Sequence, residues 1–201
     1  MENKKLNEQE SLALITQMIQ NSKKGLVVGS GNSFLFWGYL TLAVSIAIFL
    51  LLYITGNQSW FWLGIVIPVI GCLYTYWVSR RNGKKTMSYV DKVISNVWQI
   101  VGGTCAIIAL LALNYGNNIA ILPLLLLVLS VGAGITGSVI QEKSFYNCSA
   151  FGIAISLGML FNINSIVEGP LRQVFAFALA IVVVMIIPGH IVNHKAKRNN
   201  V

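Results

Sequence analysis

Apolar residues fall into six long runs along the chain, at 33–55, 60–78, 93–113, 119–139, 148–166 and 170–189, separated by short polar connections at 56–59, 79–92, 114–118, 140–147 and 167–169. A hydrocarbon core roughly 30 Å thick needs about 20 helical residues to cross it, and every run has that length. The pattern predicts an all-α, polytopic membrane protein, a six-transmembrane-helix bundle occupying residues 32–190.

Ahead of the first run lies a different pattern. Asn7 and Glu10 have capping-box spacing, Glu8 and Glu10 stand in a first turn, Lys23 and Lys24 in a last one, and Gly25 follows as a stop. At 100° per residue Leu12, Leu14, Ile15, Met18, Ile19 and Leu26 share one side, while Thr16, Gln17, Gln20, Asn21, Lys23 and Lys24 share the other. This predicts an amphipathic helix over 7–24 inside an N-terminal cytoplasmic segment, 1–31. Its apolar face suits the membrane interface or a protein partner. Gly25, Gly29 and Gly31 are expected to form a hinge into the first span. Residues 191–201 form a basic tail.

The spans also echo one another. Lys92, Asn96 and Gly102 recur in kind as Lys143, Asn147 and Gly152, and Asn32 and Gly38 open the first span in the same way. The stretches 137–143 and 189–195 match in Gly at the start and Lys at the end. Three tandem helical hairpins account for these matches, each beginning and ending on the same side of the membrane.

Charge gives the orientation. Of the 14 Lys and Arg residues, all but Arg172 fall in the N-terminal segment, the second and fourth connections and the tail. The positive-inside rule then places both termini in the cytoplasm of a plasma-membrane protein. The cytoplasmic face carries the whole net charge of +8, which suits anionic lipid. This clustering at span ends, and not along one recognition surface, argues against nucleic acid as the partner. Composition agrees: 56% of residues are hydrophobic and 10% charged, with a mean hydropathy of +0.72, far too apolar for a soluble surface. The acids among the first 24 residues argue against a cleavable signal peptide.

Candidate chemistry is sparse. Cys72, Cys105 and Cys148 are odd in number and scattered, giving neither a disulfide framework nor metal spacing. His190 and His194 stand four apart, on one helical face, and form a weak candidate metal pair; two imidazoles are an incomplete site, and a favourable seat at a helix C-terminus explains them as well. Residues 29–34 open like a dinucleotide fingerprint but lack its strand and its third glycine. Catalysis needs positioned titratable partners, and the six acids and two histidines lie outside the span cores, so no catalytic residue and no cofactor are expected. Ion-coupled transport usually leaves an ionisable group within a span; here polar residues gather instead at the outer ends, Asn114, Asn117, Asn118, Asn162, Asn164 and Glu168, where they could ring an external vestibule. Pro68 is expected to kink the second span.

Small residues are the most regular internal feature. Ser130, Gly134 and Ser138 repeat at four-residue spacing on the fourth span, as do Gly102 and Ala106 on the third and Gly152 and Ser156 on the fifth. Such stripes let helix backbones approach closely where lipid offers no hydrophobic drive to association, either within the bundle or between copies. The functional expectation is a non-enzymatic, partner-binding or regulatory component of a membrane complex, with a small channel or carrier for a neutral or lipidic solute as its rival.

Overall fold

The computed structural model describes residues 8–81, 89–115, 120–161 and 169–199, and every regular element among them is helical. Helix α1 runs from Glu8 to Thr55. A 3-10 helix, Gln58–Ile65, leads directly into α2, Val66–Arg81. Then come α3, Tyr89–Tyr115, α4, Ile121–Val139, and α5, Lys143–Leu160. The last element is one long helix in three parts: α6, Pro170–Ile181, a π-helical turn, Val182–Ile186, and α7, Ile187–Asn199.

Five stretches are long and apolar enough to cross a membrane: Gly31–Thr55, Gln58–Val78, Val90–Ala112, Ile121–Val139 and Pro170–Lys195. The fifth predicted span starts earlier than expected, since α5 begins at Lys143 and its described part ends in a turn at Phe161. Its first turns carry Lys143, Tyr146 and Asn147, which dilute its apolar character.

Three local departures from the expected elements have physical causes. The glycines at 25, 29 and 31 do not break the chain: α1 is helical through all of them. Glycine lowers helix propensity by only about 1 kcal/mol, less than a helix-breaking proline would cost. Of residues 8–30 the backbone alone is described, and Asn7 lies outside the described residues. Pro68 does not kink a helix midway. It sits in the first turn of α2, where no backbone donor is needed, and the segment before it winds as a 3-10 helix. Pro188 has the corresponding effect in the last helix. Its ring lacks an N–H and crowds the carbonyl one turn earlier; the helix widens just before it, so that the Ile187 N–H reaches back to the Val182 carbonyl.

Turn chemistry fixes two of the connections. Helix α4 ends in a Schellman arrangement, with Glu142 N–H donating to the Gly137 carbonyl at 2.9 Å and Gln141 N–H to that of Ser138 at 3.4 Å. The left-handed residue it requires is Gln141, φ 55°. At the other end of the bundle Gly56, φ 64°, closes α1 by donating to the Leu52 carbonyl at 2.9 Å.

Packing is uneven. Helix α4 lies closest to α5, and α1 packs against α6 and α7. Around their common centre Leu126, Ala133, Phe145, Ala180, Ile181 and Val184 are fully buried. A second cluster nearer the opposite end joins Val44, Ile48 and Leu52 of α1 to Val174 of α6. Helix α2 leans on α1 and α3 on α4; both keep broad apolar faces bare, with Leu73 64% and Ile100 70% exposed. That is the surface lipid would cover.

Candidate functional site at the basic end of the bundle

Antiparallel packing gathers the 31–39 stretch of α1, the turn between α4 and α5 and the end of α7 into one polar cap. The start of the first membrane stretch lies beside the end of α7, because Gly31 and Gly189 let the two backbones close up: a β-carbon on Gly31 would collide with Asn193, and one on Gly189 would lie 3.0 Å from Leu35. At this contact the Asn193 amide donates to Asn32 Oδ1 at 2.7 Å. Further along, the Tyr39 hydroxyl lies 2.7 Å from His190 Nε2, the two rings edge to face at 6.0 Å. The tail continues as helix, and Lys195 forms an ion pair with Glu142 in the turn between α4 and α5. Glu142 also accepts from the Ser144 hydroxyl at 3.3 Å.

That ion pair joins the two look-alike stretches, 137–143 and 189–195, across the cap. Beside it Gly137, Ser138, Gln141, Glu142, Lys143 and Tyr146 line a shallow recess of about 200 Å³. Arg80 and Arg81 end α2 at the same level, since α2 runs antiparallel to α1 with Tyr74 stacked on Phe36 at 3.7 Å. Asp91 and Lys92 begin α3, which is tied to α1 by the Trp98–Phe34 ring contact at 5.1 Å.

The weak metal pair is not assembled into a ligand set. His190 is engaged by Tyr39, His194 is exposed one turn on, and among the described residues no three His, Cys, Asp or Glu side chains converge. The outer vestibule falls almost wholly outside the described residues: Asn117, Asn118, Asn162, Asn164 and Glu168 do so, and Asn114 is described only as backbone in the last turn of α3.

The small-residue positions divide sharply. A β-carbon on Gly134 would stand 2.7 Å from Ser149 Oγ, and one on Gly152 would run into Ser130 and Val184. Ser156 is buried and donates to the Pro123 carbonyl at 2.7 Å. These four residues sit where helices touch. Ser138 does not: it is exposed and bonds back to the Gly134 carbonyl. Its expected place is taken by Gly137, where a β-carbon would lie 2.7 Å from that of Phe145. Gly102 and Ala106 face outward, with nothing within 4 Å of a β-carbon on Gly102. Helix α3 meets α4 one position earlier, through Val101 against Gly132, and through the Trp98 indole donating to Thr136 Oγ1 at 3.2 Å. A four-residue repeat identifies a face, but a shift of one residue turns that face by 100°, and only the neighbouring helix decides between the two.

Sequence reasoning missed the Asn32–Asn193 and Tyr39–His190 seam. Asn32 and Asn193 stand 161 residues apart and Tyr39 and His190 stand 151 apart, separations that no local pattern encodes.

No family model matches the chain, and no curated protein or solved structure matches it.

Proposed function

We propose that this chain is a six-span, non-enzymatic integral membrane protein that serves as a partner-binding or regulatory component of a membrane complex. In this reading the apolar run at 148–166, which begins within α5, counts as a span beside the other five, the spans form three hairpins, and the basic cap faces the cytoplasm. What supports it above all is how the centre of the bundle is filled. At the level where a carrier would hold its substrate, Ser130 abuts Gly152 and Val184 fills the remaining space, with Leu126 and Ile181 fully buried nearby. Close packing of this kind holds helices rigidly together. The cap, by contrast, offers exposed cations and a recess for recognition, and the sequence adds the amphipathic pattern over 7–24.

One observation favours the rival, a small carrier or channel for a neutral or lipidic solute. The buried Ser130 hydroxyl has no hydrogen-bond partner and lies against the π-helical turn through Gly152 and Val184, an arrangement that recurs at functional sites. The two readings separate in one experiment. Full-length protein reconstituted in liposomes is assayed for flux of neutral osmolytes and for lipid scrambling, while photo-crosslinkers at Lys195 and Tyr146 report neighbours in intact cells. A discrete crosslinked product with no flux supports the partner reading. Flux abolished by Ser130→Val overturns it.

A further inference from the structure

We infer that the last two turns of α2 form a binding site for the headgroup of an anionic phospholipid, with the acyl chains lying along the same helix. The inference rests on the membrane reading and names a ligand for its basic face. Arg80 and Arg81 are both exposed, yet neither guanidinium hangs loose. Each folds back over an aromatic ring one turn earlier: Arg80 lies 5.6 Å from the Tyr76 centroid and Arg81 5.2 Å from that of Trp77. A cation held beside a ring keeps a preferred position there. The fork of guanidinium N–H groups that it presents at the exposed helix end matches the oxygens of a phosphate. The ring also shields one side of each cation from water, which strengthens its attraction to an anion.

The apolar surface continues from this point at helical spacing. Tyr76, Leu73 and Val69 follow Arg80 on one ridge and are 62%, 64% and 52% exposed. From Arg80 back to Val69 is about 16 Å along the axis at 1.5 Å per residue, close to the roughly 15 Å of one leaflet's hydrocarbon. A phosphate at the arginines therefore places its chains over bare side chains for the depth of a leaflet. A soluble anion would use the two arginines and leave this ridge uncovered. Phospholipid is the occupant that uses both parts.

The test uses full-length protein in nanodiscs of phosphatidylcholine doped with phosphatidylglycerol, with retained lipids counted by native mass spectrometry after extraction into detergent. The wild-type chain should retain phosphatidylglycerol in preference to phosphatidylcholine. Arg80→Gln with Arg81→Gln should lower that retention by up to about 30-fold, given roughly a fivefold contribution from each cation near a membrane surface. Tyr76→Leu with Trp77→Leu, which keeps both charges, should lower it less but measurably. Arg172→Gln, in the first turn of α6 at the opposite end of the bundle, should leave it unchanged. Glycerol 3-phosphate at millimolar concentration should not displace the lipid; displacement would identify a phosphate site without a lipid requirement and overturn the inference. So would equal retention of the two lipids, or unchanged retention in the double arginine variant, provided the variant melts at the wild-type temperature in phosphatidylcholine alone. A variant that melts lower is replaced by Arg80→Lys with Arg81→Lys, which keeps the charges but removes the forks and should still lose several-fold in retention. Failure of the wild-type chain to enter nanodiscs at all would refute the membrane reading itself.

Discussion

The indole of Trp37 occupies the space that a β-carbon on residue 71 would need, so α2 rests on α1 through the bare backbone of Gly71. Gly71 is buried on a helix whose surface is otherwise almost wholly exposed, and Phe36 stacked on Tyr74 is the ring contact one turn away. Three aromatic residues and one absent side chain thus seat α2 on α1. Gly71→Val should displace the indole and loosen α2, with a destabilisation of about 1–3 kcal/mol. The measurement is a thermal melt in detergent, together with faster proteolysis near 79–85. Gly64→Val, with nothing within 4 Å of its β-carbon, is the control and should melt like the wild type.

The same logic separates the small-residue stripes. Gly134→Leu and Gly137→Leu each drive a large side chain into α5, where Ser149 Oγ, and Phe145 Cβ with the Tyr146 backbone nitrogen, stand within 3 Å of a modest β-carbon. Both should lower the yield of folded protein or its melting temperature by the equivalent of about 1–3 kcal/mol. Gly102→Leu should be tolerated or slightly stabilising, because leucine is the better helix former. If Gly102→Leu proves as damaging as Gly137→Leu, the outward face of α3 meets another molecule.

Ser130 and Ser156 look equivalent in sequence and should respond oppositely. Ser156→Ala removes the donor to the Pro123 carbonyl and should destabilise by about 1 kcal/mol. Ser130→Ala removes a buried hydroxyl that has no partner and should be neutral or stabilising, since the desolvation of an unpaired group disappears with it. Denaturant titration of the two variants side by side reads the difference in sign.

A left-handed conformation is roughly 1–2 kcal/mol unfavourable for a residue with a β-carbon, and Gln141 adopts one at the end of α4. Gln141→Gly should relieve this, offset by the greater freedom of glycine in the unfolded chain. The net expectation is a stabilisation of up to about 1 kcal/mol. A lower melting temperature would mean that the Gln141 side chain makes a contact worth more than the backbone strain.

Orientation is tested by labelling in intact cells, in a background with Cys72, Cys105 and Cys148 replaced. Asn57→Cys, in the turn after α1, should react with an impermeant maleimide; Arg198→Cys, in the last turn of α7, should react only after permeabilisation. The reverse pattern would invert the assignment of the basic cap to the cytoplasm.

Much of the architecture follows from composition along the chain alone. Runs of about 20 apolar residues can satisfy their backbone groups in lipid only as helices, so helical stretches at 33–55, 60–78, 93–113, 119–139 and 170–189 were legible without any contact. So were the turn at Gly56, where glycine supplies the positive φ, and the collection of lysines and arginines at helix ends. What tertiary structure decided is which face of each helix is inside. The stripe on α4 turns from Ser138 to Gly137 because Phe145 of α5 needs the space, and Gly102 faces outward because Val101 fills the groove at Gly132. Helix type depends on neighbours too: prolines at 68 and 188 announce a disturbance, but whether it becomes a 3-10 lead-in or a π turn depends on the hydrogen bonds left available. The polar seam of Asn32, Tyr39, His190 and Asn193 belongs to no local pattern at all. It exists because α1 and α7, the two ends of the chain, lie antiparallel and close, with glycine on both sides of the contact.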